Sequence, residues 1–389
     1  MYHLIQSMRW YGPQDTVPLE HLAQAGCEGI VSALHQIPAG EIWTEQAVHD
    51  YKAQIEAAGM QWSVVESLPV HEAIKYGGAE RDQLIENYKA SLINLAKNEV
   101  RVITYNFMPV LDWLRTDTEY PTVGGARTLI FRRLDYLAFD LFFLEREGAA
   151  EEYTQAELAA AKKHYEQLSA TDKKRIEGNI LLALPGEKEN FTYEKVKRLL
   201  NQYQEVDRQQ LKANLDYFLA AILPTAEKWG LQMAIHPDDP PYSILGLPRI
   251  MSTAQDVADM IAVNPSAANG LCFCTGSFGA RPDNDIPAML KKWSDRVFFL
   301  HLRNTARDEA GNFFEAPHLE GSTNMYEVMK LATEIMQAQQ RRIPMRPDHG
   351  FRMLDDLHKN AYSGYSAIGR LKALAELRGL EYAIQQANA

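Results

Sequence analysis

The stretch QMAIHPDDPP, residues 232–241, shows the pattern that decides the fold of this chain. A short apolar run leads into a histidine, two aspartates follow, and two prolines end the segment. An apolar run of this kind is typical of a strand that is buried on both faces, as in a parallel sheet. The strand ends at His236, an imidazole that can bind a metal or that can simply form hydrogen bonds beside a turn.

Seven other segments of the chain have the same apolar character. They are MRWYG (8–12), GIVSAL (29–34), WSVVES (62–67), RVITYNF (101–107), GLCFCTG (270–276), VFFLHLR (297–303) and IPMRPDH (343–349). Helical patterns lie between them, such as residues 44–59, which start with a threonine cap and end at a glycine. Eight alternating strands and helices predict an α/β fold in which a parallel sheet closes into a (β/α)8 TIM barrel.

One interval breaks this alternation. Residues 108–211 separate the fourth and fifth predicted strands, and the segment is charged and rich in helix-forming residues. No Gly/Ser-rich linker flanks it, although a separate helical domain is the alternative. We predict a single catalytic barrel domain over residues 1–389, with 108–211 as a helical insertion between strands 4 and 5.

The composition argues against several functional classes. The formal net charge is −11, and the chain has no Lys/Arg run that would bind nucleic acid or an anionic membrane. No apolar run reaches the roughly 18 residues of a membrane span. The three cysteines are too few for a disulfide framework and favour a reducing compartment. We therefore expect a cytoplasmic protein that binds neither nucleic acid nor membrane.

Metal-ligand side chains stand at the ends of the last four predicted strands. They are His236, Cys274, His301 and Asp348. Since the carboxyl ends of barrel strands meet at one rim, we expect these four side chains to lie close together. Each residue alone is more often structural, and Cys272, two residues before Cys274, is assigned to the core. The four together predict one divalent ion, and imidazole with thiolate favours Mn, Fe, Co or Zn over Mg or Ca.

Polar side chains also follow the strands of the first half of the barrel. His35 comes after the second strand, and Asn106 stands at the end of the fourth. We expect them to form a polar wall for a small hydroxylated ligand.

A set of unusual motifs runs in order from residue 8 to the C-terminus. They are RWYGPQD, ALHQIPAGEIW, WSVVESLPVHE, YNFMPVLDW, HPDDPP, ILGLPRI, FCTGS, HLRNT, MRPDHG and GYSAIGRLKAL. Together they resemble the mannonate dehydratase family of hexuronate catabolism. The resemblance implies a hydro-lyase that converts D-mannonate, a small sugar acid, to 2-keto-3-deoxy-D-gluconate. It also implies one Mn²⁺ or Fe²⁺ ion per site and a homo-oligomer.

The resemblance assigns roles to further residues. It places the metal on the four ligand-type residues named above, and it gives the acid and base work to His349 and Tyr365 without deciding which does which. Because a guanidinium matches a carboxylate in a two-point fork, Arg303 and Arg346 are expected to hold the substrate carboxylate. The alternatives are an ion pair within the barrel for Arg346 and simple helix packing for Tyr365.

Two other functional classes stay open at this stage. Metal-dependent sugar isomerases and phosphodiesterases share this type of barrel, but they usually use several carboxylates to bridge two or three metals. Here the rim offers one clear carboxylate ligand and a thiolate, which favours a single ion. A non-catalytic sugar-acid binding protein is the second alternative, although such a protein would not need an acid and a base.

Overall fold

The strands form a closed parallel barrel and a small additional sheet. The computed structural model describes residues 2–182 and 190–387. The strands in this part of the chain are β1 (Ile5–Arg9), β2 (Gly29–Ser32), β3 (Gln61–Glu66), β4 (Val102–Tyr105), β5 (Asp117–Pro121), β6 (Arg127–Phe131), β7 (Gln232–Ile235), β8 (Asn269–Cys274), β9 (Val297–Leu302), β10 (Asn304–Arg307), β11 (Phe313–Ala316) and β12 (Pro344–Pro347).

Eight of these strands close the barrel in the order β1-β2-β3-β4-β7-β8-β9-β12, and β12 pairs in parallel with β1. This confirms the predicted TIM barrel. The first strand lies at Ile5–Arg9 rather than at residues 8–12, because the buried aromatic residues Trp10 and Tyr11 belong to the loop that follows it.

Helices connect the barrel strands on the outside. They are α1 (Leu19–Gln24), α2 (Glu45–Ala57), α3 (Glu72–Tyr76), α4 (Arg81–Lys97), α5 (Arg133–Ala138), α6 (Gln155–Gln167), α7 (Ala170–Ile180), α8 (Tyr193–Gln202), α9 (Arg208–Trp229), α10 (Ala254–Val263), α11 (Thr275–Gly279), α12 (Ile286–Lys292), α13 (Met325–Gln339) and α14 (Ala367–Ala387). At the start of α2 the Thr44 hydroxyl accepts a hydrogen bond from the Ala47 N–H, as its sequence predicted. Within the described residues, no helix is both long and apolar enough to span a membrane.

The insertion between β4 and β7 differs from its prediction in one respect. It carries the helices α5 to α8, as a helical insertion should, but it also contains the antiparallel hairpin of β5 and β6, which was not predicted. The hairpin joins the β10–β11 pair from the loop after β9 in a four-stranded sheet of order β10-β11-β6-β5. Phe131 of β6 lies opposite Phe313 of β11, and their rings stack at 5.4 Å. The pairing of β6 with β11 spans about half of the chain, and local sequence patterns do not report such a contact.

The barrel interior contains a layer of apolar side chains. It comprises Val31, Val64, Val102, Ala234, Cys272, Phe298 and Phe299, all buried. Cys272 is thus a core residue, as the sequence predicted. On five of these strands the residue two positions later, toward the carboxyl end, is polar or charged: Glu66, Thr104, His236, Cys274 and His301.

Candidate active site

A cavity of about 410 Å³ opens at the carboxyl ends of the barrel strands. This volume is in the range of small-molecule sites. Nine of the ten predicted site residues line it: His35, Asn106, His236, His301, Arg303, Arg346, Asp348, His349 and Tyr365. The tenth, Cys274, is fully buried at the end of β8. The structure brings the predicted residues to one place, while their individual roles stay predictions.

Two imidazoles and a thiol form a compact group in the wall of this cavity. Nε2 of His236 lies 3.0 Å from Nδ1 of His301. Cys274 pairs with His301 in the register of β8 and β9. One ligand atom from each of these three side chains lies within 4.8 Å of the other two. Nitrogen and sulfur donors at such separations can hold one transition-metal ion.

The hydrogen bonding of His236 and the ionisation of Cys274 fit a metal. Nδ1 of His236 is 2.7 Å from the carbonyl oxygen of the next residue, so this nitrogen carries a proton and Nε2 is the nitrogen that remains for a metal. Burial alone would raise the pKa of the Cys274 thiol, but His301 and Arg303 hold it well below its usual value. The thiolate is the form of cysteine that binds metals. The donor set therefore suits a divalent transition metal.

Asp348 lies beside the compact group. Its Oδ1 is 3.1 Å from Nε2 of His301. The alignment is not that of a hydrogen bond, so among the described residues this buried nitrogen has no hydrogen-bond partner. The carboxylate also accepts hydrogen bonds from Arg346 at 2.8 Å and from Arg303 at 3.1 Å. Asp348 is in reach of the site, and its role as the fourth ligand stays a prediction.

Arg346 is bound to protein carboxylates on both sides. Its Nε and one terminal nitrogen donate to Glu66 at 2.8 and 2.7 Å, in a two-point fork. Arg9 contacts the same carboxylate at 2.9 Å. Burial alone would raise the pKa of Glu66, but Arg346 and then Arg9 lower it, so Glu66 is ionised. The ion pair that was the alternative for Arg346 is thus present, although the arginine also lines the cavity.

Arg303 belongs to a second buried network. It lies 2.8 Å from Asp239 and 3.4 Å from Glu315. Arg115 bridges the same two carboxylates, at 2.6 Å to Asp239 and 2.8 Å to Glu315. The two arginines and two carboxylates balance in charge, which lets all four stay buried.

His349 and Tyr365 lie side by side. Their ring centroids are 5.3 Å apart, with the rings nearly perpendicular. Nδ1 of His349 is 3.1 Å from Oε1 of Glu315. Burial and then the Asp348 charge raise the pKa of Tyr365, so its phenol is protonated at neutral pH. One side chain that can accept a proton thus stands beside one that can donate a proton.

His35 and Asn106 form part of the cavity wall on the side of the first strands. Burial and then Arg9 lower the pKa of His35 to about 3, so its imidazole is neutral at physiological pH. Within the described ranges Nε2 of His35 has no hydrogen-bond partner. The Asn106 amide donates to Asp112 at 3.4 Å.

Sequence reasoning missed several charged and polar residues. Arg9, Tyr11 and Lys195 line the cavity, and Arg115 and Glu315 lie behind its wall. Arg9 stands at the end of β1, and correct strand bounds would have drawn attention to it. Glu315 was missed because its strand β11 is short and one of its two partners, β6, lies far away in the chain.

A closed parallel barrel with a polar, charged cavity at the carboxyl ends of its strands defines this protein as a barrel enzyme. Comparison with known proteins gives the family. The family model for D-mannonate dehydratase (UxuA) matches residues 4–389. The chain belongs to the D-mannonate dehydratase family, and it is therefore a hydro-lyase.

Individual relatives support this placement. A mannonate dehydratase of Marinomonas sp. (strain MWYL1) is 46% identical over 385 residues, which cover 97% of this chain and 98% of the relative. One from Chromohalobacter salexigens is 45% identical over 383 residues, with coverage of 97% and 98%. The crystal structure of mannonate dehydratase from Streptococcus suis serotype 2 is similar with a TM-score of 0.79. It is 34% identical, and the similarity covers all of this chain and 95% of the other.

Proposed function

We propose that this protein dehydrates D-mannonate to 2-keto-3-deoxy-D-gluconate and water, with one Mn²⁺ or Fe²⁺ ion in its site. Membership of the family supports the substrate. The observation that carries the metal dependence is the compact group of His236, Cys274 and His301 at the wall of the cavity.

These three residues would hold the ion, with Asp348 next to them as the fourth ligand. A bound divalent ion stabilises the negative charge that develops on the substrate oxygens when a proton leaves the carbon beside a carboxylate. A thiolate among the ligands favours a transition metal over Mg²⁺ or Ca²⁺.

The reaction breaks the C2–H and C3–O bonds of the substrate. A base takes the C2 proton, the electron pair forms the C2=C3 double bond, and the C3 hydroxyl leaves as water after it receives a proton. The enol product then tautomerises to the ketone. We assign the acid to Tyr365, because its raised pKa keeps the phenol protonated. His349, beside it, is then the base.

The buried arginines set the electrostatics of this cavity. Arg303 and Arg346 present positive charge to an anionic substrate, while their hydrogen bonds to protein carboxylates fix their positions. Charges that are fixed before the reaction stabilise a developing enediolate better than mobile water does. Direct contact of either guanidinium with the substrate carboxylate is part of the proposal.

The test starts from purified protein that is stripped of metal and then given Mn²⁺ or Fe²⁺. We expect metal-dependent formation of a 2-keto-3-deoxy sugar acid from D-mannonate. Cys274→Ser should lower bound metal and lower the rate by at least about 100-fold, because a hydroxyl is a poor substitute for a thiolate ligand.

The matched control is Cys272→Ala, two residues earlier on the same strand and inside the apolar layer. This variant should bind metal as the parent protein does. No product with any divalent ion would exclude the proposed reaction. Full metal content in Cys274→Ser would remove Cys274 from the ligand set.

A further inference from the structure

We propose that Glu315 is a positioning residue for His349, which holds the imidazole in the tautomer with the proton on Nδ1 and the lone pair on Nε2. The catalytic part of this inference rests on the proposed function, in which His349 is the base. The tautomer itself is a property of the folded chain and does not depend on the reaction.

The contact is short and buried. Nδ1 of His349 lies 3.1 Å from Oε1 of Glu315, and both side chains are almost fully buried. Arg303 comes within 3.5 Å of the same nitrogen, but the same Arg303 nitrogen donates to Asp348 at 3.1 Å. The carboxylate is therefore the closer partner of Nδ1. Because an ionised carboxylate can only accept a hydrogen bond, Nδ1 must carry the proton.

Glu315 is ionised and fixed. Burial alone would raise its pKa, but Arg303 and His349 lower it. Oε1 also accepts a hydrogen bond from Arg115 at 2.8 Å, so the oxygen that faces His349 has a second donor to hold it in place. Because its other partners already hold this buried carboxylate in place, it needs no further ordering to orient the His349 ring.

The small four-stranded sheet brings Glu315 to this position. β11 pairs with β10 at Thr305 opposite Glu315, and it pairs with β6 of the insertion at Phe313 opposite Phe131. The hydroxyl of Thr128 on β6 donates to the backbone carbonyl of Glu315 at 3.1 Å. The hairpin in the insertion thus supports the strand from which Glu315 contacts His349.

The chemical consequence concerns the other ring nitrogen. With the proton fixed on Nδ1, Nε2 of a neutral His349 keeps its lone pair and can accept a proton from substrate, at a position 3.5 Å from Oδ1 of the neighbouring Asp348. In an isolated neutral imidazole neither the Nδ1–H nor the Nε2–H tautomer is strongly preferred. Loss of the Glu315 acceptor would therefore leave His349 as a mixture of the two. In the serine protease triad, loss of a comparable carboxylate costs about 10⁴ in kcat through the wrong tautomer.

The first measurement needs no substitution at Glu315. The full-length protein, labelled with ¹⁵N-histidine and treated with chelator, should show His349 as the Nδ1–H tautomer. The His349→Gln variant identifies the signal by its loss. If His349 carries its proton on Nε2, the proposal is wrong, whatever the enzyme does with D-mannonate.

Two variants then separate positioning from structure. Glu315→Leu removes the acceptor, and we expect a mixture of tautomers and a fall in kcat of at least about 100-fold, with KM changed less than about threefold. Glu315→Gln keeps the size and shape of the side chain, but its amide nitrogen can donate to Nδ1, so it should also shift the tautomer and lower kcat, as the amide replacement does in the triad.

The matched control is Asp239→Leu. It removes a carboxylate from the same two arginines, Arg115 and Arg303, but Asp239 is not a partner of His349 among the described contacts. The His349 signal should stay that of the Nδ1–H form. If Asp239→Leu changes this signal as Glu315→Leu does, or if Glu315→Leu leaves it unchanged, the specific role of Glu315 is refuted. Absence of dehydration in the parent protein would refute the proposed function and leave the tautomer result intact.

Discussion

Two layers of the barrel interior lie one above the other and differ in their chemistry. Val64, Cys272 and Phe299 belong to the apolar layer. Glu66, Cys274 and His301 are the residues two positions later on the same strands. Because residues i and i+2 of a strand face the same side, each strand changes from core packing to polar contacts within one step. Stability and chemistry thus belong to adjacent layers of one sheet, as is general for such barrels.

Truncation of the apolar layer should have the largest effect on stability. Phe299→Ala removes a fully buried ring that stacks under His301 at a centroid distance of 5.8 Å. We expect the free energy of unfolding to fall by about 3–5 kcal/mol, measured by urea denaturation. The exposed Tyr382 is the control, and Tyr382→Ala should change stability by less than about 0.5 kcal/mol. An equal effect of the two substitutions would mean that this layer is not a packed core.

Removal of a charge from the polar layer should lower the free energy of unfolding by about 3 kcal/mol. Glu66→Gln leaves the guanidinium groups of Arg9 and Arg346 buried without their shared counter-charge. The exposed pair of Lys97 and Glu45 serves as the comparison, since Glu45→Gln should cost less than about 1 kcal/mol. Both values follow from denaturation at neutral pH. If Glu66→Gln is as mild as Glu45→Gln, the buried network does not contribute to the folded state as the contacts suggest.

The smallest effect should be a pH dependence that comes from His35. Its pKa is lowered to about 3 in the folded protein, from about 6.5 for a histidine in water. Between these two values the unfolded chain binds more protons, so stability falls as the pH falls below about 6.5. His35→Gln should reduce this slope by up to about 1.4 kcal/mol per pH unit. Unfolding curves between about pH 5 and 7, the range in which an unperturbed histidine titrates, measure this slope.

The control for that experiment is His49, which is exposed on α2. His49→Gln should leave the pH dependence of stability as it is in the parent protein. A parent slope that survives in His35→Gln would show that other groups account for it.

The sequence predicted the barrel well because its signal is local. Most of the barrel strands are short apolar runs, and caps such as Thr44 mark the helices. The small sheet escaped prediction because β6 and β11 come together from opposite halves of the chain. Only tertiary contacts specify such pairs. The hairpin of β5 and β6 did carry a local signal, the Gly124-Gly125 turn between its strands, which the sequence prediction did not use.

The candidate site divides in the same way. His236, Cys274 and His301 could be found because each stands at the end of a strand that the pattern had located. The ion pairs around the cavity could not be found in this way, since the sequence does not say which carboxylate a given arginine will bind. That Arg346 meets Glu66, far away in the chain, follows only from the closure of the barrel.

The four-stranded sheet also limits how the chain can be recombined with its relatives. Its two hairpins, residues 117–131 and 304–316, lie far apart in sequence but share the pairing of Phe131 with Phe313. A chimera that takes the insertion from one parent and the loop after β9 from another would join mismatched halves of this sheet beside Glu315. The two segments therefore form one unit of exchange, and a graft has to carry both.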